Sequence, residues 1–416
     1  MRKSLALWLL CCASLPAQQV SAPSGLPGRP FFVAKTWVIG GEGDWDHLTA
    51  DPKTSQLFIA HGPVVQVVDM ETGSVAGQIN GLREAHSIAL DDAGQFGYIS
   101  DTKAGEVVVF DRRSLRITKR IHVSSNPRLL VYDPLDKLLF AIGYTAPPER
   151  TTHRVVHRDA NGQTHVTFVS DPPPDRNATQ SVASPIEVID TETQTEIGRL
   201  LFSGHLDSAQ CDGLGSLFII VVDRNYVLRV DTHAVATMLA PQGGVDAATL
   251  DWSDINTSDK ARTAWAAPNH PDIFFLDSAC TEPKGLAVDG HLGRLFVACN
   301  NMKLTVWNVG HGELVASIPL NTPPDSLAYD PDRGLLFAAS ESGSLTVIRR
   351  HVTDSYAVIQ ALPTRQRART LAVNQTTGEI FLVCNLLGVD LSNPGGIGKL
   401  KVAPVPGSFQ VLVVED

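Results

Sequence analysis

The sequence predicts an all-β fold, a seven-bladed β-propeller whose N-terminal strand closes the last blade. A sequence motif of three strands recurs seven times along the 416 residues. It contains an apolar strand ending in Asp or Asn, a strand of the type Leu-Phe-x-Ala, and a Val-rich strand. Its period is near 40 residues or twice that, which is typical of propeller blades. The first strand ends at Asp51, Asp91, Asp133, Asp212, Asp289, Asp330 and Asn374.

Residues 1–22 have the pattern of a secretory signal peptide. Two basic residues precede the apolar stretch Leu5–Leu15, and Val20-Ser21-Ala22 fits a cleavage site. A linker rich in Pro, Gly and Ser follows over residues 23–30. The apolar stretch is too short to cross a bilayer, and the sequence has no second one of membrane length. We therefore expect a periplasmic or secreted protein with no membrane span.

Length and charge fit a single domain over residues 31–416. A propeller absorbs this length because blades add around one axis. The formal net charge of −10 argues against nucleic-acid binding, which needs a basic surface. We expect a monomer whose partner is a small molecule, a protein or a peptide.

The repeats also place the blades and the closure of the ring. Phe409–Val414 at the C-terminus matches a third strand, and Phe31–Gly40 matches a fourth strand. Pairing these two segments in blade 7 would remove two exposed sheet edges. The predicted blades are Asp46–Ile79, His86–Ile121, Arg128 to Asp190, Asp207 to about Pro241, Lys284–Leu320, Asp325–Leu362 and Arg369 to Val414.

Three insertions interrupt the period. Residues 145–184 and 386–408 fall between the second and third strands of blades 3 and 7, and residues 243–281 fall between blades 4 and 5. Connections of these two kinds leave a propeller on the same face, so all three are expected on one face, which is then the predicted binding face. Residues 243–281 also contain three candidate strands, so an eight-bladed propeller remains the alternative.

Each blade carries an ionisable residue five positions before the Asp or Asn that ends its first strand. Ionisable residues make up fewer than a quarter of the chain, so seven in seven blades is not expected by chance. The position lies where the inner strand begins, at the mouth of the central channel. We call this set the mouth ring: Asp46, His86, Arg128, Asp207, Lys284, Asp325 and Arg369.

Two interpretations of the mouth ring stay open. It is either a network of ion pairs that ties neighbouring blades together, or a site for a zwitterionic or anionic small molecule or a partner peptide. His47 stands beside Asp46 and extends the site. No cofactor can be named from the sequence, and we assign no metal site.

Three histidines in the blade 3 insertion, His153, His157 and His165, are candidate metal ligands. An Asn161-Gly162 turn would pair Arg158 with His165, which places His165 on the opposite hairpin face from His153 and His157. We therefore expect a solvated hairpin without a metal.

Four cysteines lie beyond the signal peptide. Cys211, Cys299 and Cys384 fall in predicted strands and are interpreted as small buried side chains. Cys280 is the cysteine that we expect to be paired or exposed. The sequence does not fix the pairing.

Pro185–Thr193 and Pro283–Asp289 resemble YVTN-repeat β-propellers, and Asn126-Pro127-Arg128 and Leu228–Thr232 match them in part. The resemblance covers nearly the whole mature chain. Members of that family are mostly exported bacterial proteins, so the resemblance implies an exported binding or scaffold protein rather than an enzyme.

The rival hypothesis is a propeller enzyme of the lactonase or quinoprotein-dehydrogenase type with its site at the channel mouth. A metal-dependent lactonase would use Asp46, Asp207 and Asp325, but basic neighbours in the ring disfavour a bound cation.

Overall fold

A computed structural model describes residues 29–41, 43–143, 152–158, 164–170, 183–240, 248–252, 271–352, 354–389 and 402–416. The predicted signal peptide and most of the predicted linker lie outside these residues. Seven sheets formed by the described strands are arranged around a central axis, which confirms the seven-bladed propeller, and two further sheets have two strands each.

The first half of the chain forms β1 and blades 1 to 3. Strand β1 spans Phe32–Val38. Blade 1 contains β2 (Trp45–Asp51), β3 (Gln56–His61), β4 (Val64–Asp69) and β5 (Val75–Ile79). Blade 2 contains β6 (Ala85–Leu90), β7 (Phe96–Asp101), β8 (Glu106–Asp111) and β9 (Ile117–His122). Blade 3 and its insertion contain β10 (Pro127–Asp133), β11 (Leu138–Gly143), β12 (Thr152–Arg158), β13 (Thr164–Ser170), β14 (Ala183–Asp190) and β15 (Thr195–Ser203).

The second half forms blades 4 to 7. Blade 4 and its insertion contain β16 (Leu206–Cys211), β17 (Ser216–Val221), β18 (Tyr226–Asp231), α1 (Thr232–Leu239), β19 (Ala248–Asp251) and β20 (Asp272–Phe275). Blade 5 contains β21 (Pro283–Asp289), β22 (Arg294–Cys299), β23 (Lys303–Asn308) and β24 (Leu314–Pro319). Blade 6 contains β25 (Ser326–Asp330), β26 (Leu335–Ser340), β27 (Ser344–Val352) and β28 (Ser355–Pro363). Blade 7 and its insertion contain β29 (Leu371–Val373), β30 (Ile380–Cys384), β31 (Leu387–Val389), β32 (Val402–Pro404) and β33 (Gln410–Glu415).

The N-terminal strand closes the ring as predicted. The sheet of blade 7 has the order β29, β30, β33 and β1 from the channel outward. β1 pairs antiparallel with β33, from Phe32 opposite Glu415 to Val38 opposite Gln410. Both ends of the described chain are therefore held in one sheet.

The Leu-Phe-x-Ala strands are buried because neighbouring blades pack on both of their faces. Leu57, Phe58, Ile59 and Ala60 of β3 are all fully buried. A short continuous apolar run of this kind is the pattern of a strand covered on both sides. Every blade places one buried aromatic at the same position of its second strand: Phe58, Tyr98, Phe140, Phe218, Phe296, Phe337 and Phe381.

The Asp or Asn that ends each inner strand caps the turn into the second strand. Asp51, for example, accepts a hydrogen bond of 3.0 Å from the backbone N–H of Lys53. Asn374 accepts one of 3.1 Å from the N–H of Thr376 in the same way. All seven residues of the column accept a backbone N–H two or three positions on, which makes them turn-forming residues and explains their recurrence.

The prediction for the insertion at 243–281 is wrong in its position. The fourth strand of blade 4 is β20, and the extra residues lie between β18 and β20 rather than between blades 4 and 5. They leave from the face opposite the mouth ring, so two insertions and not three share the ring's face. β19 pairs in parallel with β15 and gives blade 3 a fifth strand, which removes the candidate eighth blade.

A helix occupies the segment where the sequence predicted the last strand of blade 4. The side chain of Asp231 accepts a hydrogen bond from Ala234 N and thereby caps α1. Val235 and Leu239 of α1 are buried against blades 3 and 4. At this point the N-cap at Asp231 starts a helix where the repeat period predicts a strand.

Two further predictions need correction. The insertion in blade 3 does form a hairpin, but His157 pairs with His165 and Arg158 with Thr164, one position from the predicted register. The predicted Asn161-Gly162 turn lies outside the described residues. Cys280 is paired as expected, and its partner is Cys299, which was interpreted only as a small buried side chain. Cys211 and Cys384 are free.

Candidate binding site at the channel mouth

Five of the seven mouth-ring residues lie at β-bulges. In five blades the register between inner and second strand shifts where the ring residue lies, as between Trp45 and Leu48 in β2. In blades 6 and 7 the ring residue stands just before the paired inner strand. A bulge bends its strand and re-aims a side chain. The ring positions are thus released from the alternation that fixes the rest of each sheet.

Asp46 is the centre of the ring in blades 1 to 3. Its Oδ2 lies 2.7 Å from Nδ1 of His86 and 3.6 Å from a guanidinium nitrogen of Arg128. His47 Nε2 lies 3.8 Å from the other carboxylate oxygen. The second ring nitrogen of His86 faces Glu84 at 3.5 Å. Four of the eight predicted site residues are therefore brought together, and His86 is held between two carboxylates.

The pKa of Asp46 reflects this surrounding. Burial raises the pKa, but the charge of His47, the hydrogen bond from His86 and the charges of His86 and Arg128 outweigh it and hold the pKa at about 2. The ordinary value is 3.8. A depressed carboxyl pKa stabilises the fold above the unfolded pKa, and this contribution is lost as the pH falls through the folded pKa.

Asp46→Asn is expected to abolish that contribution. The wild type should lose about 2 kcal/mol of stability between roughly pH 4 and pH 2 through Asp46. The variant should lack this part of the acid transition. Urea unfolding between pH 6 and pH 2 measures the difference. Parallel pH profiles for the two proteins would contradict the ion-pair assignment.

A small polar cavity of about 210 Å³ adjoins Asp46. It opens between the mouth-ring positions of blades 1, 3 and 4. Its lining residues are Asp46, His47, Arg128, Leu129, Ile142, Gly143, His205, Leu206 and Asp207. The cavity thus joins both carboxylates and the guanidinium of this part of the ring.

In blades 5 to 7 the carboxylate of the mouth ring, Asp325, bonds to a backbone N–H rather than to another ring side chain. Asp325 accepts a 2.6 Å hydrogen bond from the backbone N–H of Glu341. Burial raises the pKa of Asp325, and the charge of Glu341 adds to this rise. That hydrogen bond and the charges of Arg369 and Lys284 oppose the rise without cancelling it. Asp325 therefore remains tied to its own blade.

Three ring side chains have no partner within the part of the chain that the structure describes. Asp207, Lys284 and Arg369 make no hydrogen bond or salt bridge through their side chains to any described residue. Lys284 and Arg369 are half-buried and Asp207 is exposed. The ring is accordingly not a closed network of salt bridges among the described residues, since its side chains in blades 4, 5 and 7 form none.

A buried charge cluster centred on Arg112 lies at the opposite face of the channel. Arg112 is buried, with 2% exposure of its side chain, and binds the carboxylate of Asp51 through two guanidinium nitrogens. Its third nitrogen donates to the carbonyl of Asp91 at 2.9 Å. Every charge in this cluster is used, in contrast to the mouth ring.

Glu84 and His205 lie beside mouth-ring residues and are not among the predicted site residues. A signal for them exists, because the residue two positions before the ring is polar in most blades. That second column reads Asp44, Glu84, Asn126, His205, Glu282, Pro323 and Arg367. Arg367 carries further information, since it adopts a φ of 68° and stacks on Trp45 at 4.6 Å.

Within the described residues, no group of three or more His, Cys, Asp or Glu side chains could hold a metal ion. None of the helices in this part of the chain has the length and apolar character needed to span a membrane.

Comparisons with known proteins agree with the fold. No family model and no curated protein matches the chain. Among solved structures, a chain in the crystal structure of a mitotic checkpoint complex aligns over 95% of this chain and 100% of its own length. Its TM-score is 0.57 and its sequence identity is 13%. This likeness shows the fold alone. Function has to be inferred from the site.

Proposed function

We propose that this chain is an exported, YVTN-like β-propeller that binds a peptide segment of a partner protein at the face of the mouth ring. The observation that carries the proposal is the polar cavity bounded by Asp46, Arg128 and Asp207. Its volume of about 210 Å³ is below the roughly 300–1,000 Å³ of small-molecule pockets. A cavity of this volume can hold one side chain that projects from a larger partner. Propellers commonly serve as protein-binding scaffolds, which fits this proposal.

The contacts of His86 favour binding over catalysis. A general base must reach the proton that it removes through a free nitrogen. One ring nitrogen of His86 is bonded to Asp46, and the other faces Glu84. Glu84 in turn binds Lys103 at 3.0 Å. The arrangement fixes the imidazole in place and leaves it no nitrogen for a substrate.

The disulfide supports the export part of the proposal. Cys280 and Cys299 are both fully buried and joined over a sequence separation of 19. Disulfides persist in oxidising compartments and are rare in the cytosol. The basic and apolar pattern of residues 1–22 fits the same destination.

Replacing both Cys280 and Cys299 by Ala is expected to cost about 3 kcal/mol of unfolding free energy, because the open loop gains entropy in the unfolded chain. Urea unfolding of the oxidised protein and the variant measures this. The matched control is Cys384→Ala, which removes a free thiol.

Protein isolated from its native compartment should show the Cys280–Cys299 disulfide by non-reducing peptide mapping. Free thiols at both positions there would contradict export.

A peptide-display selection against the full chain tests the binding function. Selected peptides should lose at least tenfold in affinity for the double variant Arg128→Gln, Asp207→Asn. They should bind normally to Arg113→Gln, which removes an exposed charge from the opposite face. Fluorescence anisotropy measures both. Peptides that bind both variants like the wild type, or a selection that yields none, would refute the proposed function.

A further inference from the structure

Glu187 is a fully buried carboxylate in blade 3 that makes no salt bridge in the described chain. It lies on β14 and is 0% exposed. A buried carboxylate without a cation costs free energy unless hydrogen bonds compensate. Its Oε1 accepts a hydrogen bond of 2.5 Å from the hydroxyl of Ser124, and its Oε2 accepts one of 2.8 Å from that of Ser125. Both serines lie on the connection between blades 2 and 3, so Glu187 holds a segment outside its own strand pairs.

This connection, residues 124–127, leads directly to Arg128 of the mouth ring, and we call it the anchored segment. Pro127 lies opposite Gly143 in the pairing of β10 with β11, and the β-bulge at Arg128 follows at once. Ser125 packs so closely on Gly143 that a Cβ at Gly143 would lie 2.4 Å from the Cβ of Ser125. Because Arg128 and Gly143 both line the cavity, the anchored segment supports one of its walls.

Arg199 supports one of these serines and makes no salt bridge to Glu187 in the described chain. It lies opposite Glu187 in the pairing of β14 with β15. One guanidinium nitrogen donates a hydrogen bond of 3.1 Å to Ser124 Oγ, and another lies 3.6 Å from Glu196 Oε1. The contacts form one continuous chain that ends at Ser125, and hydrogen bonds in such a chain reinforce one another.

We propose that Glu187 is a positioning residue for the cavity, and that its bonds to Ser124 and Ser125 hold Arg128 in place. The inference rests on the proposed function and deepens it, since Arg128 is the guanidinium that lines the cavity. The Arg128 side chain is exposed and lies 3.6 Å from Asp46. A surface pair of this kind holds a long side chain only weakly, so the backbone of the bulge has to supply the order. Binding groups need such support from residues behind them.

The first test measures the freedom of Arg128 without any peptide. Phenylglyoxal modifies accessible arginine side chains, and peptide mapping by mass spectrometry gives the rate at each arginine. In Glu187→Ala, Arg128 should react about two- to fivefold faster than in the wild type, because only its weak contact with Asp46 then restrains it. Arg113 on the opposite face should keep its wild-type rate. An unchanged rate at Arg128 would overturn the proposal.

Three further variants distinguish positioning from a general loss of structure. Ser125→Ala removes one hydrogen bond and should raise the rate at Arg128 by a smaller factor; it decides the matter if Glu187→Ala does not fold. Glu187→Gln keeps an acceptor for one serine and a donor for the other, and should restore the wild-type rate. Glu196→Gln changes the carboxylate beside Arg199 and should leave the rate unchanged. A rise in Glu196→Gln as large as that in Glu187→Ala would contradict the assignment.

A double-mutant cycle connects Glu187 to binding. Glu187→Ala should weaken the selected peptides about fivefold in the wild-type background and less than about twofold in the Arg128→Gln background, because its effect passes through Arg128. Fluorescence anisotropy measures all four proteins. Equal losses in the two backgrounds would mean that Glu187 acts independently of Arg128, and the proposal would then be wrong.

The two proposals fail separately. Faster modification of Arg128 in Glu187→Ala, without any mouth-dependent peptides, would keep Glu187 as the residue that positions Arg128 and refute the peptide function. Mouth-dependent peptides that bind Glu187→Ala and Ser125→Ala as tightly as the wild type would refute the positioning role and leave the peptide function.

Discussion

Deletion of residues 29–38 is expected to unfold or aggregate most of the protein. The deletion removes β1, which supplies the outermost strand of blade 7 and covers the edge of β33. It also removes Phe31, which is 4% exposed and packs on Phe337 at 5.7 Å. Loss of a buried Phe side chain alone costs about 3–5 kcal/mol. The total stability of a domain is about 5–15 kcal/mol, so the remaining margin is small or absent.

Light scattering during size-exclusion chromatography, together with urea unfolding, measures this effect. A chain that lacks only residues 23–28 is the control, since it keeps β1 and should remain monodisperse. Phe31→Ala is the milder variant and should fold with a lower urea midpoint. A deletion variant that stays monodisperse with the wild-type midpoint would show that β1 does not hold the ring closed.

The closing strand was predictable from sequence because the evidence for it is periodic. Phe409–Val414 has the pattern of a third strand and Phe31–Gly40 that of a fourth strand, so the two segments complete one blade. The buried second strands were equally predictable, because residues covered on both sides read as continuous apolar runs. Local signals that act against the period limit this prediction. The cap at Asp231 starts α1 and moves the last strand of blade 4 to β20, beyond the insertion.

The sequence predicts which seven residues form the mouth ring but not which of their side chains contact one another. The seven ring positions could be aligned because each stands at a fixed distance from the turn-capping Asp or Asn. Pairing within the ring depends on bulges such as the one between Ala85 and Ile88, and a bulge leaves the sequence period unchanged. Sequence therefore could not show that Asp46 pairs with His86 while Lys284 stays unpaired. The Cys280–Cys299 disulfide could not be predicted for a similar reason. Cys280 precedes blade 5 and Cys299 ends β22, and the distance between them depends on the fold.

Arg112→Leu is expected to lower the unfolding free energy by about 3–5 kcal/mol, because it leaves a buried carboxylate without its cation. Asp51 in blade 1 is 1% exposed and would lose both guanidinium contacts. The carbonyl of Asp91 in blade 2 would lose its donor as well. The neighbouring Arg113 is exposed, so Arg113→Leu should change stability by less than about 0.5 kcal/mol. Urea unfolding of the two variants measures the difference, and equal midpoints would contradict the assignment.

The variants Arg112→Leu and Arg128→Gln separate the structural charges from the binding charges. Arg112 ties blades 1 and 2 together on the face opposite the mouth ring, and all of its nitrogens have acceptors. Its loss should lower stability and leave peptide affinity unchanged under conditions where the protein is folded. Arg128 is exposed and contacts Asp46 at 3.6 Å, and such a surface pair contributes at most about 1 kcal/mol. Arg128→Gln should therefore weaken peptide binding with little loss of stability, because its charge faces the cavity rather than the interior of the fold.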